Sequence, residues 1–186
     1  KILPELSPPE EVLTCERCEL SRQRSRVIWG EGNPLAPVFV VLDNPGARED
    51  KDGNPFLCGT RETLLRAVRE VGIPQEHLHI SYILKCRPLS KYNKPKARKT
   101  CIKFLWNQLK RSHKVVMTLG DVATASFFED PAVKVKDLRG GVHELKGKKV
   151  VASYHPLAVR RRPVLQKVFL EDWGLVAAIL KKGKRI

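Results

Sequence analysis

The chain has 186 residues, 42% of them hydrophobic, which is enough for one core with helices on both sides of a sheet. No stretch approaches the roughly eighteen consecutive apolar residues of a membrane span, and Lys1-Ile2-Leu3-Pro4-Glu5 is no apolar signal segment, so a cytoplasmic setting is expected. A formal net charge of +15 points to a polyanionic partner, and nucleic acid fits better than an anionic membrane, because no basic helix carries a wide apolar face.

In chain order, residues 1–14 read as a lead-in with one short helix. Residues 37–42 are an unbroken apolar run, the pattern of a strand buried on both faces of a parallel sheet. The turn Asp43-Asn44-Pro45-Gly46 closes it, and a polar loop is expected through Asn54. Thr60 suits the cap of a helix that runs to about Val71, with Leu64, Leu65, Val68 and Val71 on one stripe. Residues 77–84 alternate like a strand, 89–95 form a loop, and a helix spans about 97–111. A third strand over 114–119 leads into a helix ending near Phe128. A basic loop with Lys134, Lys136 and Arg139 follows, then a hairpin over 142–153 and a last helix over about 163–181. This alternation predicts a three-layer α/β/α sandwich with a mainly parallel central sheet, with residues 1–186 as a single domain.

The five cysteines are odd in number, and a reducing compartment argues against a disulfide framework. Cys15 and Cys18 form a C-x2-C pair; Cys86 follows the second strand, and Cys101 comes after fourteen intervening residues. Four thiolates suit zinc and an iron–sulfur cluster equally. The plainer alternative is two buried structural cysteines and a chance C-x2-C. Cys58 reads as a small buried hydrophobe.

Asp43, Asn44, Glu49 and Asp50 lie at or just past the carboxyl end of the first strand, where open α/β sheets place their sites. Gly46 lets backbone approach a ligand. Asn54 and Arg61 could also serve a ligand and are equally ordinary surface residues. Phe56 is placed either to stack on a base or to plug a local core. Ser153-Tyr154-His155-Pro156 ends the last strand, and Arg160, Arg161 and Arg162 follow. A histidine at a strand end with three arginines beyond it fits a site beside phosphates; a solvated basic turn is the bland reading.

Together these pieces resemble the iron–sulfur, thermophilic-type uracil-DNA glycosylases, family 4 of that superfamily. The resemblance runs from Cys15 to the last helix. It is carried by the C-x2-C pair, Pro45-Gly46 with Glu49-Asp50, Gly53-Asn54-Pro55-Phe56, Lys85-Cys86-Arg87-Pro88, Cys101, Gly120 and His155-Pro156. It implies a uracil-DNA glycosylase fold and a structural 4Fe–4S cluster on Cys15, Cys18, Cys86 and Cys101. It implies monofunctional removal of uracil or a related deaminated base from DNA, by a nucleoid-associated monomer. His155 would stabilise the leaving base, Phe56 would stack on it, and Glu49 falls where the family excludes a thymine methyl. No lysine stands where strand cleavage through a Schiff base would need one.

Three departures qualify the resemblance. The family's Gly-Glu-x-Pro-Gly becomes Leu42-Asp43-Asn44-Pro45-Gly46, so either Asp43 or Asn44 positions the water. The asparagine that reads uracil in the family is Tyr82 here, and one hydroxyl cannot make an amide's paired contacts. His-Pro-Ser becomes His155-Pro156-Leu157, which offers Leu157 as an apolar wedge into the duplex. A nucleic-acid-binding member without catalysis is the alternative that the Tyr82 and Asp43 departures keep open.

Overall fold

The computed structural model describes residues 3–53 and 59–183. Its sheet consists of β1 (Glu31–Gly32), β2 (Val38–Leu42), β3 (Leu78–Tyr82), β4 (Val115–Leu119), β5 (His143–Leu145) and β6 (Lys148–Ser153), in spatial order β1-β3-β2-β4-β6-β5. The four inner strands run parallel, and β1 and β5 close the two edges antiparallel. Every residue of β2, β3 and β4 is buried; β2 and β4 are near-continuous apolar or β-branched runs, as strands covered on both faces require, while β3 also buries His79 and Ser81.

The helices are α1 (Glu10–Leu13), α2 (Ala47–Asp52), α3 (Gly59–Glu70), α4 (Lys94–Gln108), α5 (Asp121–Phe128), α6 (Val135–Leu138), α7 (Pro156–Arg161) and α8 (Leu165–Lys182). One face of the sheet, with Val40, Ile80, Met117 and Val151, packs on α3, α7 and α8 through Leu64, Val68, Val159, Phe169 and Trp173. The other face, with Phe39, Val41, Val116 and Val150, packs on α4 and α5. The expected sandwich is present. Among the described residues, no helix is long and apolar enough to cross a membrane.

Three local expectations change. The loop expected after β2 contains α2, whose Glu49 and Asp50 sit in its first turn, where acidic groups complement the helix dipole. Asp50 is buried and accepts a hydrogen bond from the Ser25 amide at 3.0 Å. Thr60 lies inside α3 rather than capping it. Helix α4 starts at Lys94 instead of near Ala97, because the Asn93 side chain accepts from the Lys96 amide at 3.1 Å and Pro95 fits the first turn.

Beneath β2 lies a buried histidine pair. The Lys110 amide donates to His113 Nδ1 at 2.8 Å, so His113 carries its proton on Nε2 and gives it to His79 Nδ1 at 3.1 Å. Both rings stand beside Phe39, with centroids 4.8 and 4.7 Å away. Burial pushes both pKa values below the usual histidine range, and so do the nearby Lys110, with Lys85 on the His79 side and Lys148 on the His113 side. A depressed folded pKa means that the unfolded chain takes up protons first as pH falls through about 6.5. Each ring then costs up to about 1.4 kcal/mol per pH unit, until it also titrates in the fold. Denaturant unfolding should therefore show stability that is full above neutrality and declines below it. The His79→Gln chain should decline less steeply; equal slopes would place the acid sensitivity elsewhere.

Candidate active site and cysteine cluster

Parallel β2, β4 and β6 end side by side. The ladder pairs Val41 with Thr118 and Leu119 with Ser153. Asp43, Gly120 and His155 therefore follow along one edge, across two inter-strand steps of about 4.8 Å each. Asp43 is half-buried, and its Oδ1 takes no hydrogen bond among the described residues. Burial pushes its carboxyl pKa up, against the pull of Arg98 and Lys94 at the start of α4. Asn44 turns back on its own loop, with Nδ2 donating to the Pro45 carbonyl at 2.9 Å.

His155 caps α7. The Leu157 amide donates to His155 Nδ1 at 3.1 Å, so the neutral ring holds its proton on Nε2. Burial, and then the Arg61 guanidinium, push its pKa down to about 4. At pH 7 the ring is neutral with one N–H to give. Gly120 closes on it from β4: its φ is +92°, and a Cβ there would lie 3.1 Å from His155 Cβ. The strand end is braced from behind, where Ser153 Oγ donates to the fully buried Asp172 at 2.6 Å. Arg139 and the Gly140 amide donate to the same carboxylate, each at 3.0 Å. Arg139, which the sequence placed in a basic loop, is thus turned toward the buried Asp172 while staying partly exposed.

The larger correction concerns Arg61, which is 4% exposed rather than a surface residue. It reaches from α3 to the floor of the crevice. There it pairs with Glu31 of β1, stands 4.0 Å from Glu49 and donates to the Tyr82 hydroxyl at 2.9 Å. Tyr82, Glu31, Glu49 and Gly53 line one small cavity. The structure thus brings Glu49 and Tyr82 together around Arg61. Burial raises the Tyr82 pKa well above the usual phenol value, so the hydroxyl keeps its proton. Glu31 was also missed: its β1 has only two residues, too short for any periodic signal.

Cys15, Cys18, Cys86 and Cys101 are free and line a common cavity between the lead-in segment and α4. Arg24 donates to Cys86 Sγ at 3.4 Å and to the Cys15 carbonyl at 2.9 Å, and the Lys85 amide donates to Cys101 Sγ at 3.3 Å. Among the described residues, no three His, Cys, Asp or Glu side chains are grouped to hold a single metal ion. The Lys85 ammonium is buried next to this lobe. It donates to Ser81 Oγ at 2.6 Å, the Tyr82 carbonyl at 2.7 Å and Gln108 Oε1 at 2.6 Å, and it stands 5.1 Å from the Trp29 ring centroid. Three acceptors and an aromatic face are what an ammonium needs in place of water.

Arg160, Arg161 and Arg162 are exposed at the end of α7, with the Arg160 guanidinium lying against Gly59. Leu157 is half-buried in the first turn of α7, and Lys134 and Lys136 are exposed. Phe56 and Cys58 lie outside the described residues.

Residues 29–174 match the family model of the uracil DNA glycosylase superfamily. The chain is 33% identical over 178 residues to a type-4 uracil-DNA glycosylase of Thermotoga maritima, covering 93% of each chain. It is 30% identical to the enzyme of that name from Sulfurisphaera tokodaii, covering 95% of this chain and 84% of the relative. A third, from Archaeoglobus fulgidus, is 29% identical and covers 92% of this chain and 91% of its own. With a family model spanning most of the sheet and relatives matching over nearly their whole length, the chain belongs to the uracil-DNA glycosylase superfamily, among its type-4 members.

Proposed function

We propose that this chain is a monofunctional DNA glycosylase of base-excision repair, hydrolysing the N-glycosidic bond of uracil or a related deaminated base. The observation that carries the reading is His155, a neutral imidazole with its tautomer fixed and one N–H available at the strand edge. When the C1′–N bond breaks, both electrons leave on the base and the sugar gains oxocarbenium character. The base must first be turned out of the stack. His155 Nε2–H then donates to the oxygen where base charge develops, and a neutral donor does so without surrendering its proton. Water attacks C1′ from the β2 side. Asp43 is the better placed of the two candidates to orient it, since its buried Oδ1 lacks a partner among the described residues while the Asn44 amide is engaged. Phe56 stacks on the base, and Glu49 guards the cavity against a methyl group.

A 4Fe–4S cluster on Cys15, Cys18, Cys86 and Cys101 is the cofactor reading. Four thiols lining one cavity, with N–H groups donating to two of their sulfurs, support it. The cluster would tie the lead-in segment to the sheet. DNA lies across Arg160, Arg161 and Arg162 with Leu157 as the wedge, and the protein works as a cytoplasmic, nucleoid-associated monomer.

Removing a charge-stabilising donor costs about two to three orders of magnitude in rate. Single-turnover excision by His155→Ala should fall by that much with DNA affinity retained. Full activity of that variant on every base tested would remove the crevice from the mechanism. Asp43→Asn should lose more than Asn44→Ala. Because His155 is already neutral, the rate should show no basic limb near pH 6.5, and its acid limb should lie above the ordinary aspartate range.

Purified protein should be brown and carry iron, and Cys86→Ala should lose it. Zinc in place of iron would keep the four-thiolate site but exclude the cluster.

DNA affinity should fall steeply with salt. Replacing Arg160, Arg161 and Arg162 by alanine should flatten the log–log slope by about 0.9 for each phosphate that is no longer neutralised. An unchanged slope would move the DNA path off α7.

A further inference from the structure

We propose that Tyr82, oriented by Arg61, is the base-reading group of this site and selects for a carbonyl oxygen on the edge of the flipped base. The proposal rests on the glycosylase reading above. A guanidinium has donors only, so in the 2.9 Å contact the Tyr82 oxygen must be the acceptor. Its own proton then points away from Arg61. Among the described residues, no acceptor takes that proton, although Glu49 and Glu31 line the same cavity. Tyr82 pairs with Leu42 in the ladder, one residue before Asp43, so the two residues lie at the ends of neighbouring strands.

A fixed hydroxyl donor in that position makes a chemical choice. Uracil O4 and hypoxanthine O6 are acceptors and complete the contact. The exocyclic amines of cytosine and adenine present N–H to O–H and leave both groups unsatisfied in a water-poor site. The contact also grows during the reaction. As the C1′–N bond breaks, the electron pair stays on the base and spreads onto its carbonyl oxygens. A phenol polarised by a buried cation then donates to an oxygen that is becoming charged. Tyr82 does not need the ring N–H that an amide would also read. Arg61 acts as the positioning residue, because it touches the reader and not the base.

The test compares single-turnover excision of uracil and 4-thiouracil from otherwise identical DNA by wild type, Tyr82→Phe and Arg61→Lys. A thiocarbonyl sulfur is a poor acceptor, so the Tyr82 contact contributes little for that base. Tyr82→Phe removes one oxygen and keeps the ring that fills the floor. It should slow uracil excision about tenfold, the value of one hydrogen bond, while leaving 4-thiouracil nearly unchanged, so the ratio of the two rates collapses. Arg61→Lys keeps the charge but loses the planar fork, and should shift the ratio in the same direction by less. If Arg61→Lys melts at the assay temperature, the Tyr82→Phe ratio decides alone. Equal slowing of both bases would mean that Tyr82 only shapes the pocket, and it overturns this proposal alone. Wild-type protein that releases neither base overturns the glycosylase reading, and this proposal with it.

Discussion

A guanidinium removed from water must be surrounded by acceptors, and Arg61 imposes that requirement on the whole crevice. Burying such an ion costs several kcal/mol unless it is paired and hydrogen-bonded. Glu31 supplies the opposing charge and Tyr82 an oxygen, with Glu49 standing 4.0 Å off. Each partner comes from a different element, so the pairing fixes how α3, β1, β3 and α2 meet. The two-residue strand β1 makes sense in this light, since it places Glu31 under α3 while joining the sheet edge. Gly30 lets the strand come that close, because a Cβ there would meet the Ile80 carbonyl at 2.5 Å.

Tyr82 is held at both ends by buried basic side chains. Arg61 donates to its hydroxyl and Lys85 to its carbonyl. The second contact leads into the cysteine lobe. Lys85 also binds Ser81 and Gln108, the Gln108 amide donates to the Trp29 carbonyl at 2.8 Å, and the Lys85 backbone donates to Cys101 Sγ. A group bound by the four cysteines would therefore set the position of the floor of the crevice through one residue. This link is mechanical, carried by hydrogen bonds of fixed length between a strand end and α4. It would give a group held by these cysteines a structural part to play without any part in hydrolysis.

The layers were legible in the sequence because their signals are local and repeated. The apolar run before Asp43 is β2, and the Leu64, Leu65 and Val68 stripe is the buried side of α3. The histidine before Pro156 was legible as well, since a strand end followed by proline fixes a side chain's direction. Helix α2 was hidden by its composition: six mostly charged residues read as loop, and only the dipole-matched Glu49 and Asp50 hinted otherwise. The buried place of Arg61 and the inward turn of Arg139 were hidden for one reason. Arginine is normally solvated, and the carboxylates that pair with these two lie far along the chain, Glu31 before Arg61 and Asp172 after Arg139. No local pattern announces such a pairing.

The same cation governs two donors of the crevice. On one side Arg61 occupies a lone pair of the Tyr82 oxygen, which turns the phenol proton outward. On the other it adds to burial in keeping His155 neutral, so that the Leu157 amide can hold Nδ1 and Nε2 can donate. Were the imidazole protonated, Nδ1 would carry a proton aimed at the Leu157 N–H, and the cap of α7 would be lost. On the proposed reading, base reading and base departure would not be independent modules. Exchanging an amide reader for a tyrosine would call for something to orient the new hydroxyl, and the buried Arg61 would do so while adding to the burial that keeps His155 neutral. The two roles would separate by what they alter: loss of the first would change which base is chosen, and loss of the second how the rate depends on pH.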